Sequence, residues 1–405
     1  MTVAQGIKKT TAYKKQVGLG TAASGSGGQI VRRTSSVFQA PPDTFESNEI
    51  VSHQQSTGVG LGVVKPAGKI DGLLSPGTYA TLLASLLRKD MTTGASATGM
   101  TIAVAASGQN YTLTRSAGSF LTDGFKIGDV TRITAGSFTA GTSNKNLLVI
   151  ALTATVMTVK VVNATSLTVE SGITGATISV TGKKSLVPLT SHTNDYYTFE
   201  EWYSDLARSE TYADQQIAQA ALNLPATGNA TISIDSVGRT RTLGGSQVLT
   251  TPGAETTTDI LTAVNGVVLV NGSAVANVTG AQITINGNTA HSDAVVGSNV
   301  VDDIQRGRVS VSGSFTSKFD GVTLQTIFDG RSTTSLLLCV TEDATANADF
   351  VVVSLPIIKL TGDTPDDGEK AIIRTYPFTA QINSAGGAAL ATDQTIIAIQ
   401  DSAAA

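Results

Sequence analysis

Cysteine is almost absent from this chain of 405 residues. Cys339 stands alone, so no intrachain disulfide and no cysteine-based zinc framework can form. It sits in the apolar run Leu336-Leu337-Leu338-Cys339-Val340 and reads as a small buried hydrophobe. Histidine is nearly as scarce: His53, His192 and His291 share no helical ligand spacing, so they read as surface or turn residues and no metal site is proposed. Aromatic residues are 5% of the chain, with Trp202 the single tryptophan, which leaves few to stack on sugar rings. Charged residues are 14% against about 25% in ordinary domains, and Thr, Ser, Asn and Gly take their place. The net charge of −4 supplies no basic field to hold nucleic acid. The longest strongly apolar uncharged run, Leu147 to Val159, is too short to span a bilayer and is studded with Thr. Met1 to Gly6 lead into Lys8 and Lys9 without an apolar stretch, so they do not read as a signal peptide. A soluble protein without disulfides is expected.

What the chain has in abundance is strand signal. From Gln29 onward Thr, Val and Ile alternate in short runs, as in Thr231-Ile232-Ser233-Ile234 and Gln282-Ile283-Thr284-Ile285. The expected fold is mainly β. The clearest helix follows Ser75: serine as N-cap, Pro76 in the first helical position, and Tyr79, Leu82, Leu83, Leu86 and Leu87 on one apolar face. Gly72 is followed at fixed offsets by Ser75, Leu83, Leu86 and Leu87, and Gly313 at the same offsets by Thr316, Leu324, Ile327 and Phe328. That agreement suggests an internal duplication. Each half also carries a later strand pair, Ala220 to Leu224 with Ala230 to Ile234, and Pro356 to Leu360 with Ala371 to Phe378. Ala213 to Ala221 has helical propensity but the position of a strand, and strand is chosen.

Between the first helix and the first strand pair lies a series of short strands: Thr101 to Ala105, Tyr111 to Arg115, Val130 to Thr134, Leu147 to Leu152, Met157 to Val162, Ser166 to Val169 and Thr177 to Val180. They suit a small antiparallel barrel or sandwich, inserted at 96–190. Residues 1–27, with Lys8, Lys9, Lys14 and Lys15 ahead of a flexible stretch from Gly20 to Gly28, read as an arm.

Material for catalysis is thin. Gly18-Leu19-Gly20-Thr21-Ala22-Ala23 has the letters of a dinucleotide fingerprint without the preceding strand or following helix. Gly182-Lys183-Lys184-Ser185 lacks the hydroxyl residue and upstream glycine of a phosphate loop. Glu200 and Glu201 are neighbours on a strand, so they point to opposite faces and cannot flank one glycosidic bond. Asp363, Asp366, Asp367 and Glu369 crowd a loop without EF-hand spacing and read as a hairpin tip. No enzyme and no cofactor is expected.

The order of several segments resembles the tail tube protein, or major tail protein, of long non-contractile-tailed bacteriophages (siphophages). The resemblance rests on Tyr13-Lys14-Lys15-Gln16, Arg32-Arg33-Thr34-Ser35-Ser36, Phe45-Glu46-Ser47-Asn48-Glu49-Ile50, Gly68-Lys69-Ile70-Asp71-Gly72 and Leu74-Ser75-Pro76-Gly77-Thr78-Tyr79. It continues through Gly118 to Phe125, Phe199-Glu200-Glu201-Trp202-Tyr203-Ser204-Asp205 and Leu224 to Thr231. It implies a structural virion protein, made in the host cytoplasm, with β-sandwich or barrel domains each flanked by a short helix. Such subunits close into rings that stack as a DNA conduit, in company with tape-measure and tail-terminator proteins. The implied organisation is an arm at 1–27, a first tube domain at 28–245 carrying the insertion at 96–190, and a second at 246–405. Three such chains would form a trimeric ring with pseudo-sixfold symmetry; a hexamer is the alternative. The insertion should face outward, the arm with its four lysines should grip an adjacent ring, and Glu200, Glu201 and Asp205 are candidates for an acidic lumen that lets double-stranded DNA pass without binding. A host-surface adhesin or carbohydrate-binding β-module is the competing reading.

Overall fold

The computed structural model describes residues 3–405 apart from Gln54, Ala140, Ala164, Thr165, Val275, Ala276, Asp367, Gly368 and Lys370. In chain order the first part contributes β1 (Lys9–Lys15), β2 (Ser26–Ile30), β3 (Ser35–Gln39), β4 (Pro42–Glu46), β5 (Val59–Val64), β6 (Ala67–Leu73), α1 (Ala80–Leu87) and β7 (Thr92–Thr93). Six strands then close a barrel: β8 (Ser96–Ser107), β9 (Asn110–Arg115), β10 (Val130–Ala135), β11 (Leu147–Leu152), β12 (Val156–Val161) and β13 (Glu170–Val180). The chain returns through β14 (Lys183–Leu186), β15 (Tyr197–Tyr203), β16 (Arg208–Pro225), β17 (Thr231–Val237), β18 (Thr240–Gly244) and β19 (Thr251–Gly253). It ends with β20 (Gly266–Val270), β21 (Ser273–Ala274), β22 (Val278–Asn286), β23 (Thr289–His291), β24 (Ile304–Arg306), β25 (Ser310–Lys318), α2 (Thr323–Asp329), β26 (Thr333–Thr341), β27 (Phe350–Leu360), β28 (Thr364–Pro365), β29 (Ile373–Gln381) and β30 (Ala398–Asp401).

Two strand series repeat one another. The first pairs β1–β15–β16 and then β16–β17–β6–β3. The second pairs β20–β26–β27 and then β27–β29–β25–β22. Accessory hairpins match as well: β4–β5 lies between β3 and β6, and β23–β24 between β22 and β25. The series join where β16 pairs with β22, from Gln219 opposite Asn286 to Pro225 opposite Gly280. The result is one antiparallel sheet of order β3–β6–β17–β16–β22–β25–β29–β27. Ala213 to Ala221 is strand, as its position required. β16 changes sheets within itself: its first residues pair with β15 and β18, its last with β17 and β22. Asp214, in the left-handed region at φ 57, marks the turn between them.

The first helix starts later than capping chemistry suggests. Thr78 N–H closes a turn onto Ser75 O at 3.4 Å, with Pro76 and Gly77 at its centre and Gly77 at φ 75, the residue pair a type II turn requires. The Ser75 hydroxyl meets Thr78 Oγ1 at 2.6 Å instead of capping an amide, and α1 begins at Ala80. Its Leu82, Leu83, Leu86 and Leu87 are all buried in the main core with Ile70, Ile232 and Tyr197; each leucine so buried contributes about 1.5–3 kcal/mol.

The insertion is a closed barrel around Leu113, Phe120, Phe125, Met157 and Ile178. Ser166 to Val169 is not a strand, since β13 begins at Glu170. That glutamate accepts from Thr139 and Thr142, which ties the preceding loop across the barrel end. Although it interrupts the first series, the barrel sits on the second. Val130, Leu148 and Val162 pack with Leu269, Leu337, Cys339, Phe350 and Val352, and burial pushes the Cys339 thiol up to about 12. Around this apolar seat, Gln400 Nε2 donates to Val130 O and Thr181 O at 2.9 and 2.6 Å, and Lys184 bridges Asp129 and Asp393 at 2.5 and 2.9 Å. Burial pushes Asp129 up, even beside Lys184, while the two carboxylates hold Lys184 above its ordinary value against the cost of its own burial.

Candidate functional site

Period-two alternation gives the eight-stranded sheet two unlike faces. Ile70, Ile232, Ile234, Leu222, Ile283, Phe315 and Phe378 turn into the core. The opposite face carries Lys69 and Asp71 on β6, Ser233 and Asp235 on β17, Asn223 on β16, Gln282 and Thr284 on β22, Ser312 on β25, Thr379 on β29 and Lys359 on β27. Charge on it is sparse and mixed: Lys69, Lys318 and Lys359 against Asp71 and Asp235. Lys69 stands opposite Asp235 in the ladder and 3.5 Å from Asp71. Burial acts to raise Asp71, but hydrogen bonds from Ser233 and Ser35 and the Lys69 charge outweigh it and hold the group below 3.8. Asp235 goes the other way, raised by burial and by Asp71 against the pull of Lys69.

The edges of this sheet differ from each other. Among the described residues β3 pairs only with β6, and it exposes Val37. At the other edge β27 pairs with β29, and β26 reaches only Thr333 and Thr334 opposite Lys359 and Ile358. Beside β3, the β4–β5 hairpin exposes Phe45, Val59 and Leu61. An open edge with one apolar flank is a template for pairing with another chain. Among the described residues no group of three or more His, Cys, Asp or Glu side chains is arranged to hold a metal, and no helix is long and apolar enough to cross a membrane.

A sequence profile of the phage tail tube protein family matches residues 6–380. The chain belongs to that family. No curated protein matches the sequence. A tail tube protein is a structural component of the virion, and the mainly β architecture with its two short helices accords with the resemblance on which the sequence reading rested.

Within this tail tube protein the acidic candidates do not sit on an open face. Glu200 is 1% exposed; its carboxylate accepts from Val248 N–H, Leu249 N–H and the Ser209 hydroxyl at 2.6, 2.7 and 2.6 Å. Glu201 is equally buried and pairs with Lys9 at 2.6 Å, with Ser36 Oγ at 3.0 Å. Asp205 is half-buried and accepts from Gln5 N–H at 2.7 Å. β15 lies between β1 and β16, so both of its edges are paired, and these carboxylates are ties within the chain.

The basic arm is likewise folded onto the chain. Lys9–Lys15 is a sheet strand with Thr11, Ala12 and Tyr13 buried. Lys14 donates to Ser24 O and Ser26 O, Lys15 pairs with Asp195 at 3.0 Å, and Lys8 closes a short 3-10 turn in solvent. Of the acidic loop, Asp363 pairs with Arg374 at 2.6 Å, and Asp367 lies outside the described residues. His291 Nε2 lies 2.9 Å from Gly238 O, while His53 and His192 are exposed. The polar face of the central sheet escaped notice as a unit, although Thr231-Ile232-Ser233-Ile234-Asp235 displays its alternation openly.

Proposed function

We propose that this chain is the ring-forming subunit of the tube of a long, non-contractile phage tail, and that the polar face of its eight-stranded sheet lines the channel through which double-stranded DNA leaves. The observation that carries the proposal is the repeated four-stranded unit, β3–β6–β17–β16 followed by β22–β25–β29–β27, presenting one polar face and two unlike edges. Unlike edges favour head-to-tail closure, in which the last strand of one chain meets the first of the next. Three chains then supply six equivalent units around a pseudo-sixfold ring, and the tube domains divide near β20. Six chains would supply twelve units and a wider ring.

A channel of hydroxyls and amides with a few balanced charges would let a polyanion slide without capture; the lining is therefore nearly neutral, not acidic. The barrel's placement supports an outer wall. Leu337, Cys339 and Val352 face it from the side opposite Leu336, Leu338 and Val353, which face the core, so the core lies between barrel and channel. Stacking along the axis falls to protruding segments such as the β4–β5 hairpin, because residues 9–15 are committed to the sheet. Tape-measure and terminator proteins would meet the channel and the tube end, and no catalytic role is proposed.

Electron microscopy of purified, concentrated protein tests this reading. Rings or tubes with an open channel and three outer knobs around a six-lobed wall are expected. Six knobs would overturn the trimer, and solid monomers under every assembly condition, including with a tail initiator complex, would overturn the tube.

A further inference from the structure

The joint between the two repeats inside the chain shows what each repeat needs at its flank. α1 is covered there by the second repeat. Gly287, just past β22, packs so closely on Leu86 that a Cβ at Gly287 would stand 3.1 Å from Leu86 Cδ1. Arg88 follows α1 in the left-handed region at φ 63, and its guanidinium donates to Gly287 O at 2.9 Å and to Gly307 O at 2.6 Å. These carbonyls bracket the β23–β24 hairpin, so one arginine clamps the base of the neighbouring repeat's loop onto the helix end.

α2 has the same setting without the cover. Leu324, Ile327 and Phe328 reach the edge of the core, yet no residue of the helix is fully buried. Arg331 follows it in the left-handed region at φ 52, exposed; among the described residues its side chain meets no partner within hydrogen-bonding or ion-pairing distance. Beside the helix runs a groove of about 410 Å³ lined by Phe319, Leu324, Ile327 and Tyr376, with Phe319 and Val322 in solvent. The segment that corresponds to the missing cover is β3 with the start of the loop toward β6, and it lies at the far edge of the same chain with its own flank open.

We infer that the outer side of α2 and its groove are the seat for β3 and the following loop of a second copy of this chain, with Arg331 clamping backbone carbonyls of that copy as Arg88 does within the chain. The inference rests on the tube reading and deepens it by naming the lateral contact. Continuity with the internal joint argues for this occupant: the same helix and the same strand order recur, a left-handed arginine again trails the helix, two residues later in the matched offsets than in the first repeat, and the contact from a partner repeat is missing.

Site-directed cross-linking tests it cleanly, because Cys339 is buried and the wild type should not react with a short bis-maleimide. A chain carrying both Gln39→Cys and Ile327→Cys should give a ladder of covalently joined chains, whereas either single variant should give none. A dimer from Ile327→Cys alone would mean that α2 meets α2 and would overturn the inference. Rings visible by microscopy with no ladder from the double variant would overturn this contact while leaving the tube intact; absence of both rings and ladder would overturn the two together. Arg331→Glu, at an exposed position, should keep the wild-type circular dichroism and melting curve and weaken association about tenfold or more. Unchanged assembly by Arg331→Glu would remove the clamp from the proposal.

Discussion

The two helices occupy the same place in the same strand order, yet α1 buries seven of its eight residues and α2 fully buries none. Their apolar residues recur at the same offsets, so the difference does not originate in the helices. It comes from what the rest of the chain lays over them: β14, the residues after β30 and the β23–β24 loop on the α1 side, and, among the described residues, nothing comparable on the α2 side. A repeated sequence pattern thus specifies a unit whose burial depends on its neighbour. The bare copy marks where the chain's own supply of neighbours runs out.

The largest test of this contrast concerns the cover itself. Lys184→Met leaves Asp129 and Asp393 facing each other without their shared cation, and should cost about 3–5 kcal/mol in urea unfolding, with the barrel's contact to β26 loosened first in hydrogen exchange. Leu86→Ala in α1 should cost about 2–5 kcal/mol, whereas Ile327→Ala in α2 should cost about 1 kcal/mol in the isolated chain. If the α2 seat is filled on assembly, that gap narrows in rings, measurable as a change in dissociation temperature.

Smaller effects sharpen the same comparison at the helix entrances. Gly77 is at φ 75 and a Cβ there would meet Ala403 O at 2.7 Å, while a Cβ at Gly321 before α2 would meet nothing within 4 Å. Gly77→Ala should therefore cost about 1–3 kcal/mol and Gly321→Ala no more than about 0.5 kcal/mol. The entrance turn of α1 is also pH-dependent. Asp401 accepts from Gly77 N–H through both oxygens at 2.9 and 2.8 Å, and burial raises its carboxyl from 3.8 to about 6 despite those bonds. The folded state thus takes up the proton at higher pH than the unfolded state, so this group's contribution to stability falls as pH rises from 4 through 6. Wild type minus Asp401→Asn, compared by denaturation at pH 4 and pH 7, should show that loss on the order of 2–3 kcal/mol; a flat difference would refute it.

Much of this was legible beforehand. Alternation located the central strands, the matched offsets after Gly72 and Gly313 located both helices, and turn residues separated the barrel strands. Tertiary ties were not legible. Glu200 and Glu201 look like a solvent-facing acidic pair until the Val248 and Leu249 amides, 48 and 49 residues further on, are seen to bind one of them. Lys9 to Lys15 looked like a basic tether because its terminal lysines concealed Thr11, Ala12 and Tyr13, and only the ladder with β15 reveals a strand. In both places the deciding partner is remote in the chain, and local pattern carries no information about it.

The seat of the barrel also sets a clock on synthesis. Lys184 waits for Asp393, made 209 residues later, and Val130 waits for Gln400, 270 residues later. A nascent chain can close its barrel early, but it cannot fasten it until almost everything else has emerged from the ribosome. The ties between barrel and second repeat are therefore among the last parts of the fold to form on a chain made from its N-terminus.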